Sequence, residues 1–416
     1  MSTVSSLRDI LIDQTIHAVA EKGFEDISLR AVTSDAGCST AAVFQYFGSK
    51  AGLIDAAMKK ALQNDLDFHR SFAETTAGLV LSQRRFAHQL AFYIEQRSQL
   101  ITARFWSEIM FKSGQTPKAG EHLRAWHAMR ITFWQSRLHE NNGNPGLAPI
   151  LACYCTMEEA YAYALNGQLA YSLMLRETAE ALTAQSFAGD GDIQHSEISE
   201  WLDRSAHRFE VSATAERNAL SQGLLDLAAK HIVHYGVDAL TQRKITKLAG
   251  TSSAMIAYHF GNLDAFVNEA IWRALAVDIP NEVHPNLLGN CKQTSLSQWA
   301  DLLTHFIVPA RESDNHQNGF FIGVARIIGQ AALLVKHRQK LHPIVDHMRK
   351  FEGRGSYNAS QTIWPPDIKI SRAAAAAFAV WVKGQAIVNE AFDDNSRNNK
   401  ERLLDVASLI FGVQKP

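Results

Sequence analysis

Two stretches of similar chemistry stand 213 positions apart in this 416-residue chain, AGCSTAAVFQYFGSK at 36–50 and AGTSSAMIAYHFGNL at 249–263. Each sets hydroxyls, an amide or a phenol and a flanking cation or imidazole in a short apolar frame, groups suited to reversible hydrogen bonding and charge pairing. Elsewhere no nucleophile motif, Gly-rich phosphate loop or paired-carboxylate arrangement stands out, so an enzyme reading has no residues to carry it. His337, His342 and His347 recur every five residues, which scatters them around a helix. The four cysteines, Cys38, Cys153, Cys155 and Cys291, form no CxxC. Neither set predicts a metal site or a disulfide framework, and no cofactor is expected. Cys38 reads as a small core thiol, and His231 with His234 as a solvated pair.

The elements that hold these groups are helical. Leu7, Ile10 and Leu11, and later Leu220, Leu224, Leu225, Ala228 and Ile232, fall at i, i+3, i+4 spacing, the signature of one apolar helix face. Alternating strand-like runs are missing, which predicts an all-α fold. In the first stretch Ser28 and Ser39 stand where N-caps are needed, Val32, Ala36, Val43 and Phe47 point inward one turn apart, and Gly37 permits the reversal between two short helices. That leaves Thr40, Ala41, Phe44 and Gln45 outside, with Arg30 and Lys50 flanking. In the second, Thr241 and Ser252 cap, Ile245, Ala249, Ile256 and Phe260 pack, and Gly250 turns. Its outer face is Ser253, Ala254, Ala257 and Tyr258, with His259 alongside. The flanking charge differs: Arg30 and Lys50 against Asp35 in residues 28–50, but Arg243, Lys244 and Lys247 against no acid in 241–263.

The echo extends beyond these windows. Asp13/Asp226, Gly23/Gly236, Arg30/Arg243, Thr33/Thr246, Ala36/Ala249, Gly37/Gly250, Ser39/Ser252, Ala41/Ala254, Phe47/Phe260, Gly48/Gly261, Ala61/Ala274 and Leu62/Leu275 are identical at the same offset. Farther on, Asn166-Gly167-Gln168 in an apolar segment (157–176) is answered by Lys383-Gly384-Gln385 in another (373–392). Both glycines are expected to let two such segments approach across an internal pseudo-twofold interface. Loops are expected at 141–146, 189–192, 279–294 and 353–366, and a junction between halves at 210–216.

Both stretches resemble the DNA-binding region of TetR-family transcriptional repressors: a small-residue turn, a short recognition helix, an aromatic cluster ending in Phe, then Gly-x-Lys. The likeness covers roughly residues 8–62 and 216–275, and behind each lies a longer helical region alike only in length, helicity and order. It implies two tandem TetR-like units: a helix-turn-helix domain at 1–62 with a helical regulatory domain at 63–213, then a second reader at 214–276 with its regulatory domain at 277–416. Ala41 and Gln45 would then face bases and Tyr46 and Lys50 phosphates; Ala254 and Tyr258 take the first role in the second copy and His259 the second. The family's usual Tyr three before the closing Phe is replaced by Phe44 and Ala257, and its Lys by Leu263. Two outcomes follow for the second copy: Lys244 and Lys247 compensate, or the second reader has decayed.

The resemblance further implies a double-stranded DNA operator as partner and a small effector that releases it. Ligand pockets are mostly apolar, so Trp106, Met110, Trp126, Met129, Phe133 and Trp134, with Trp299, Phe306, Phe320 and Phe321 in the second half, are the candidate lining. Because the two outer faces differ, the operator is expected to be asymmetric and one chain to act as a pseudo-dimer; the alternatives are a homodimer using only the first reader, or a ligand-binding or protein-interaction module that kept the fold and lost DNA binding. With 46% hydrophobic residues, 20% charged and a net charge of −1, the chain has no bulk attraction to nucleic acid, so affinity must come from local patches. The apolar run 373–382 ends at Lys383, short of a membrane span; a cytoplasmic protein without membrane contact is expected.

Overall fold

The computed structural model describes residues 6–23, 27–112, 120–187, 196–204, 218–276, 279, 295–309, 319–358, 364–365, 368–394 and 398–414. The expected loop at 189–192 and junction at 210–216 lie outside them, as does nearly all of 279–294. Among the described residues the architecture is helical without strands; an isolated bridge joins Gly143 and Phe187.

The chain opens with α1 (Leu7–Lys22), α2 (Leu29–Asp35), α3 (Thr40–Phe47) and α4 (Lys50–Glu74). Ser6 caps α1 by accepting from the Asp9 amide, and Gly23 at φ 85° ends it. Helices α5 (Gln83–Arg97), α6 (Ile101–Met110), α7 (Gly120–Glu140), α8 (Ala148–Leu165) and α9 (Leu169–Thr183) follow. The second half runs α10 (Ala219–Tyr235), α11 (Gln242–Leu248), α12 (Ser253–Phe260), α13 (Leu263–Ala276), α14 (Leu296–Ile307), α15 (Phe320–Leu334), α16 (His342–Phe351), α17 (Arg354–Asn358), α18 (Arg372–Phe392) and α19 (Asn398–Phe411). Asn218 caps α10 and Gly236 at φ 89° ends it, as at the start of the chain. Leu224, Leu225, Ala228 and Ile232 are buried on α10 as their spacing predicts, whereas Leu220, one turn earlier, stays half exposed.

The most extensive helix contact joins α8 to α18, with α9 also against α18 and α16 against α8. Gly384 sits at the crossing: a Cβ there would lie 1.9 Å from the Cys153 carbonyl oxygen. Its neighbours seal the contact, Lys383 pairing with Glu352 at 2.5 Å and Gln385 accepting from the Cys153 thiol at 3.3 Å. Gly167 departs from expectation. The segment 157–176 is broken, and Gly167 forms the turn between α8 and α9 at φ 87° with open space around it. Asn166 has turned aside to donate to the Glu95 carbonyl, so of these two glycines Gly384 alone serves as a close approach. The expected loop 353–366 likewise contains the short α17. Helix α4 runs unbroken across 62/63, so the expected domain boundary falls inside one rigid rod.

A buried charge pair crosses between the halves. Arg349 on α16 donates through Nε to both oxygens of Glu158 on α8 (2.8 and 3.1 Å), and Tyr171 donates to the same carboxylate at 3.0 Å. Both charged side chains are fully buried.

Candidate nucleic-acid interface

Helix α3 is held by one residue. Val43 is fully buried, while Phe47 and Ala36 are half buried beneath it. The rest of the helix turns outward: Ala41, Gln45 and Tyr46 are exposed, Phe44 is 56% exposed and Thr40 is intermediate. Gly37 makes the turn into α3 at φ 68°, a left-handed conformation that costs a Cβ-bearing residue about 1–2 kcal/mol. Ser28 and Ser39 occupy the N-cap positions, but neither hydroxyl makes the expected capping bond; Ser49 does, accepting from the Gly52 amide at 3.0 Å. The Ser28 and Ser39 hydroxyls are therefore exposed and free to face an outside partner, and Arg30 is exposed beside them.

Lys50 has a task the sequence did not reveal. Its ammonium donates to the Ile27 carbonyl at 2.8 Å, lacing the start of α4 to the chain ahead of α2. An ammonium has three donors, so two stay open for a phosphate. Arg8 stacks over the Phe47 ring at 5.4 Å and steadies the same corner.

The second copy repeats the geometry. Ile245, Ile256 and Phe260 are buried, Gly250 turns at φ 58°, and Ala254, Ala257 and Tyr258 face out, Tyr258 82% exposed. His259 is half buried with its ring edge-on to Tyr258. Thr241 caps α11 by accepting from the Lys244 amide at 3.3 Å, while Ser252 makes no cap bond. Arg243, Lys244 and Lys247 are exposed and carry no ion pair among the described residues, although Lys244 sits over the Tyr235 ring at 5.9 Å. The side chain of Ser253 lies outside the described ones. His231 is buried against Tyr235 and not solvated as expected.

What positions α2 and α3 lies behind them. Asp65, fully buried on α4, accepts from Arg97 on α5 and from the Trp126 indole at 2.7 Å on α7. Glu159 on α8 accepts from Arg97 at 3.1 Å and from Arg130 at 2.5 Å. Burial alone would raise the Asp65 pKa, but Arg97 and its cationic neighbours outweigh it and hold the carboxyl below its usual value. Burial drives His69 the other way, to about 4, so its ring stays neutral while bonding Tyr93 at 2.8 Å. The candidate lining residues pack around this network: Trp106 stacks on Trp126 at 5.5 Å, and Phe133 and Trp134 close on Tyr93. Met110 is buried and Met129 half buried; Trp299 and Phe306 are buried, with Phe320 and Phe321 half buried beside Phe306. No group of three metal-ligating side chains occurs among the described residues.

Each short-helix segment is also fastened to the opposite half. Glu21, at the end of α1, accepts from Lys336 and His337 after α15, through its carboxylate and its carbonyl respectively. Lys112, after α6, pairs with Asp238 ahead of α11 at 2.8 Å. The fold thus ties the segments around α1–α3 and α10–α12 to one helical body.

Residues 11–57 match the family of bacterial regulatory proteins, tetR family. A 130-residue stretch, 31% of this chain, is 28% identical to the HTH-type transcriptional regulator BetI of Escherichia coli K12 and covers 54% of it. BetI of E. coli O139:H28 (strain E24377A / ETEC) matches to the same extent. The match therefore spans about half the length of these curated relatives. Together they support a TetR-family regulator. No helix among the described residues is long and apolar enough to cross a membrane.

Proposed function

We propose that this chain is a DNA-binding transcriptional repressor whose two non-identical readers cover both halves of an asymmetric operator, one polypeptide standing in for a dimer. The observation that carries the reading is the pair of short helices α3 and α12, each behind a left-handed glycine, each anchored by a buried aliphatic residue (Val43, Ile256) and a closing phenylalanine packed inward (Phe47, Phe260), with Ala41, Phe44, Gln45 and Tyr46 on one and Ala254, Ala257 and Tyr258 on the other turned outward. A recognition helix of this length covers only a few base pairs, which is why such readers work in pairs. The α8–α18 contact supports the internal pairing, because closed twofold contacts are the commonest symmetry. Ala41 and Gln45 read bases in one half-site and Ala254 and Tyr258 in the other; Tyr46, Lys50 and His259, with Arg30, Arg243, Lys244 and Lys247, meet phosphates. Half-site centres lie roughly 34–36 Å apart or a multiple of that.

A small apolar effector releases the operator by favouring a different reader separation. Its proposed contacts are the aromatic residues around Trp106 and Trp126. These rings are stacked on one another, so entry of the effector and loosening of α4 through Asp65 become one event. A second reading, a homodimer using only the first reader, draws on Leu263 in place of lysine and on the family match falling at residues 11–57. Footprinting separates the two. Two unlike half-sites, one altered by Gln45→Ala and the other by Tyr258→Ala, support the proposal; a perfect inverted repeat insensitive to Tyr258→Ala rejects it.

A further inference from the structure

We propose that the cleft between the second reader and the turn at 338–341 is a binding site for a small amphiphilic hydroxy acid. It is distinct from the outer faces of α3 and α12 and from the stacked aromatic layer, and it stands whether or not the readers hold DNA.

The origin of the cleft is visible in the sequence offset. Leu263 and Leu240 stand where the first copy has Lys50 and Ile27. There the lysine ammonium spans to the Ile27 carbonyl and fills the gap. A leucine cannot make that bond, and in the second copy the gap remains as a cavity of about 260 Å³. Leu240, Val267 and Leu341, all buried, join Leu263 as an apolar floor. That volume accepts a ligand smaller than most drug-sized ones.

The polar rim determines what kind. Asp264 would repel an anion, but Lys340 neutralises it at 2.6 Å. Thr241 Oγ1 accepts from the Lys244 amide and keeps its O–H as a neutral donor, not a charge. What is left is Arg338, which lines the cleft and has no ion pair or side-chain hydrogen bond among the described residues. A guanidinium suits a carboxylate, donating two parallel N–H bonds to it. Asn268 uses its amide N–H on the Lys340 carbonyl at 3.4 Å, while its Oδ1 is buried without a donor. Such an orphaned acceptor asks for a partner, and a hydroxyl on the ligand supplies the proton. A cation, an acceptor and an aliphatic floor in one small cavity together specify a carboxylate with a short alkyl body and a hydroxyl.

Calorimetric titration of the full-length protein with 3-hydroxyoctanoate, octanoate and octylamine tests this. The expected order is 3-hydroxyoctanoate, then octanoate, with no saturable binding of the amine. Arg338→Ala should weaken 3-hydroxyoctanoate about ten-fold or more, the size of one charge-assisted hydrogen bond. Leu263→Lys, which rebuilds the lace of the first copy, should abolish binding while the protein unfolds as cooperatively as the parent. Equal binding of the amine, indifference to Arg338→Ala, or no saturable binding of the hydroxy acid overturns the proposal.

Discussion

Replacing Glu158 by glutamine removes one charge from the middle of the molecule and nothing else of comparable size. The loss is large because Arg349, fully buried, would keep its charge with no carboxylate beside it; among the described residues one of its terminal nitrogens already lacks a partner, and Thr178 is its one other side-chain hydrogen-bond acceptor. Breaking a buried pair in this way costs about 3–5 kcal/mol, against a total stability of roughly 5–15 kcal/mol for a typical fold. The pair bridges α8 and α16, one from each half of the chain, so the penalty should fall on both halves together. Urea unfolding followed by tryptophan fluorescence and by far-UV circular dichroism reads this directly, because each half has its own tryptophans. Both probes should shift together to lower urea. Adding Arg349→Met should give a loss smaller than the sum of the single losses by about 2 kcal/mol. A change under about 1 kcal/mol, or a shift confined to one probe, would refute the view that this pair welds the halves.

Three further outcomes are expected. Gly384→Ala places a methyl group against the Cys153 backbone, where no flexible side chain can yield, so it should cost upwards of about 3 kcal/mol, measurable as a lowered Tm; Gly223→Ala, with open space around its Cβ, is the neutral control. Burial, aided by Arg130 and Arg402, depresses the His127 pKa to about 3. The unfolded chain therefore takes up that proton first, and stability falls as pH drops from 6.5 towards 3. The share lost between pH 6.5 and 4.5 is about 2.3 kcal/mol, and His127→Leu should flatten that part of the pH–stability profile. Lys50→Ala should weaken binding to all DNA sequences and reduce the salt dependence by about one unit of slope; an unchanged slope would mean that the lysine serves only to lace Ile27.

The local readings were legible because they depend on short-range rules. Periodicity placed Val43, Ile256 and Phe260 inward, and glycine at 37 and 250 marked the turns. Long-range pairing was not legible. Asp65 and Arg97 lie 32 residues apart and Glu158 and Arg349 lie 191 apart, and no spacing rule joins them. Gly167 misled because a glycine in an apolar run can be a close approach or a break, and the neighbouring Asn166 decided for a break by bonding Glu95. The cap serines misled because position alone does not aim a hydroxyl. The departure at Leu263 was visible as a lost lysine, but the cleft it opens required the Lys50–Ile27 bond to be seen first.

The central claim is that a single polypeptide supplies both DNA readers. Sedimentation equilibrium of the protein on its own operator fragment, at a salt concentration where the complex is saturated, measures this as a mass. One chain per operator is the predicted result; two chains per operator would contradict it.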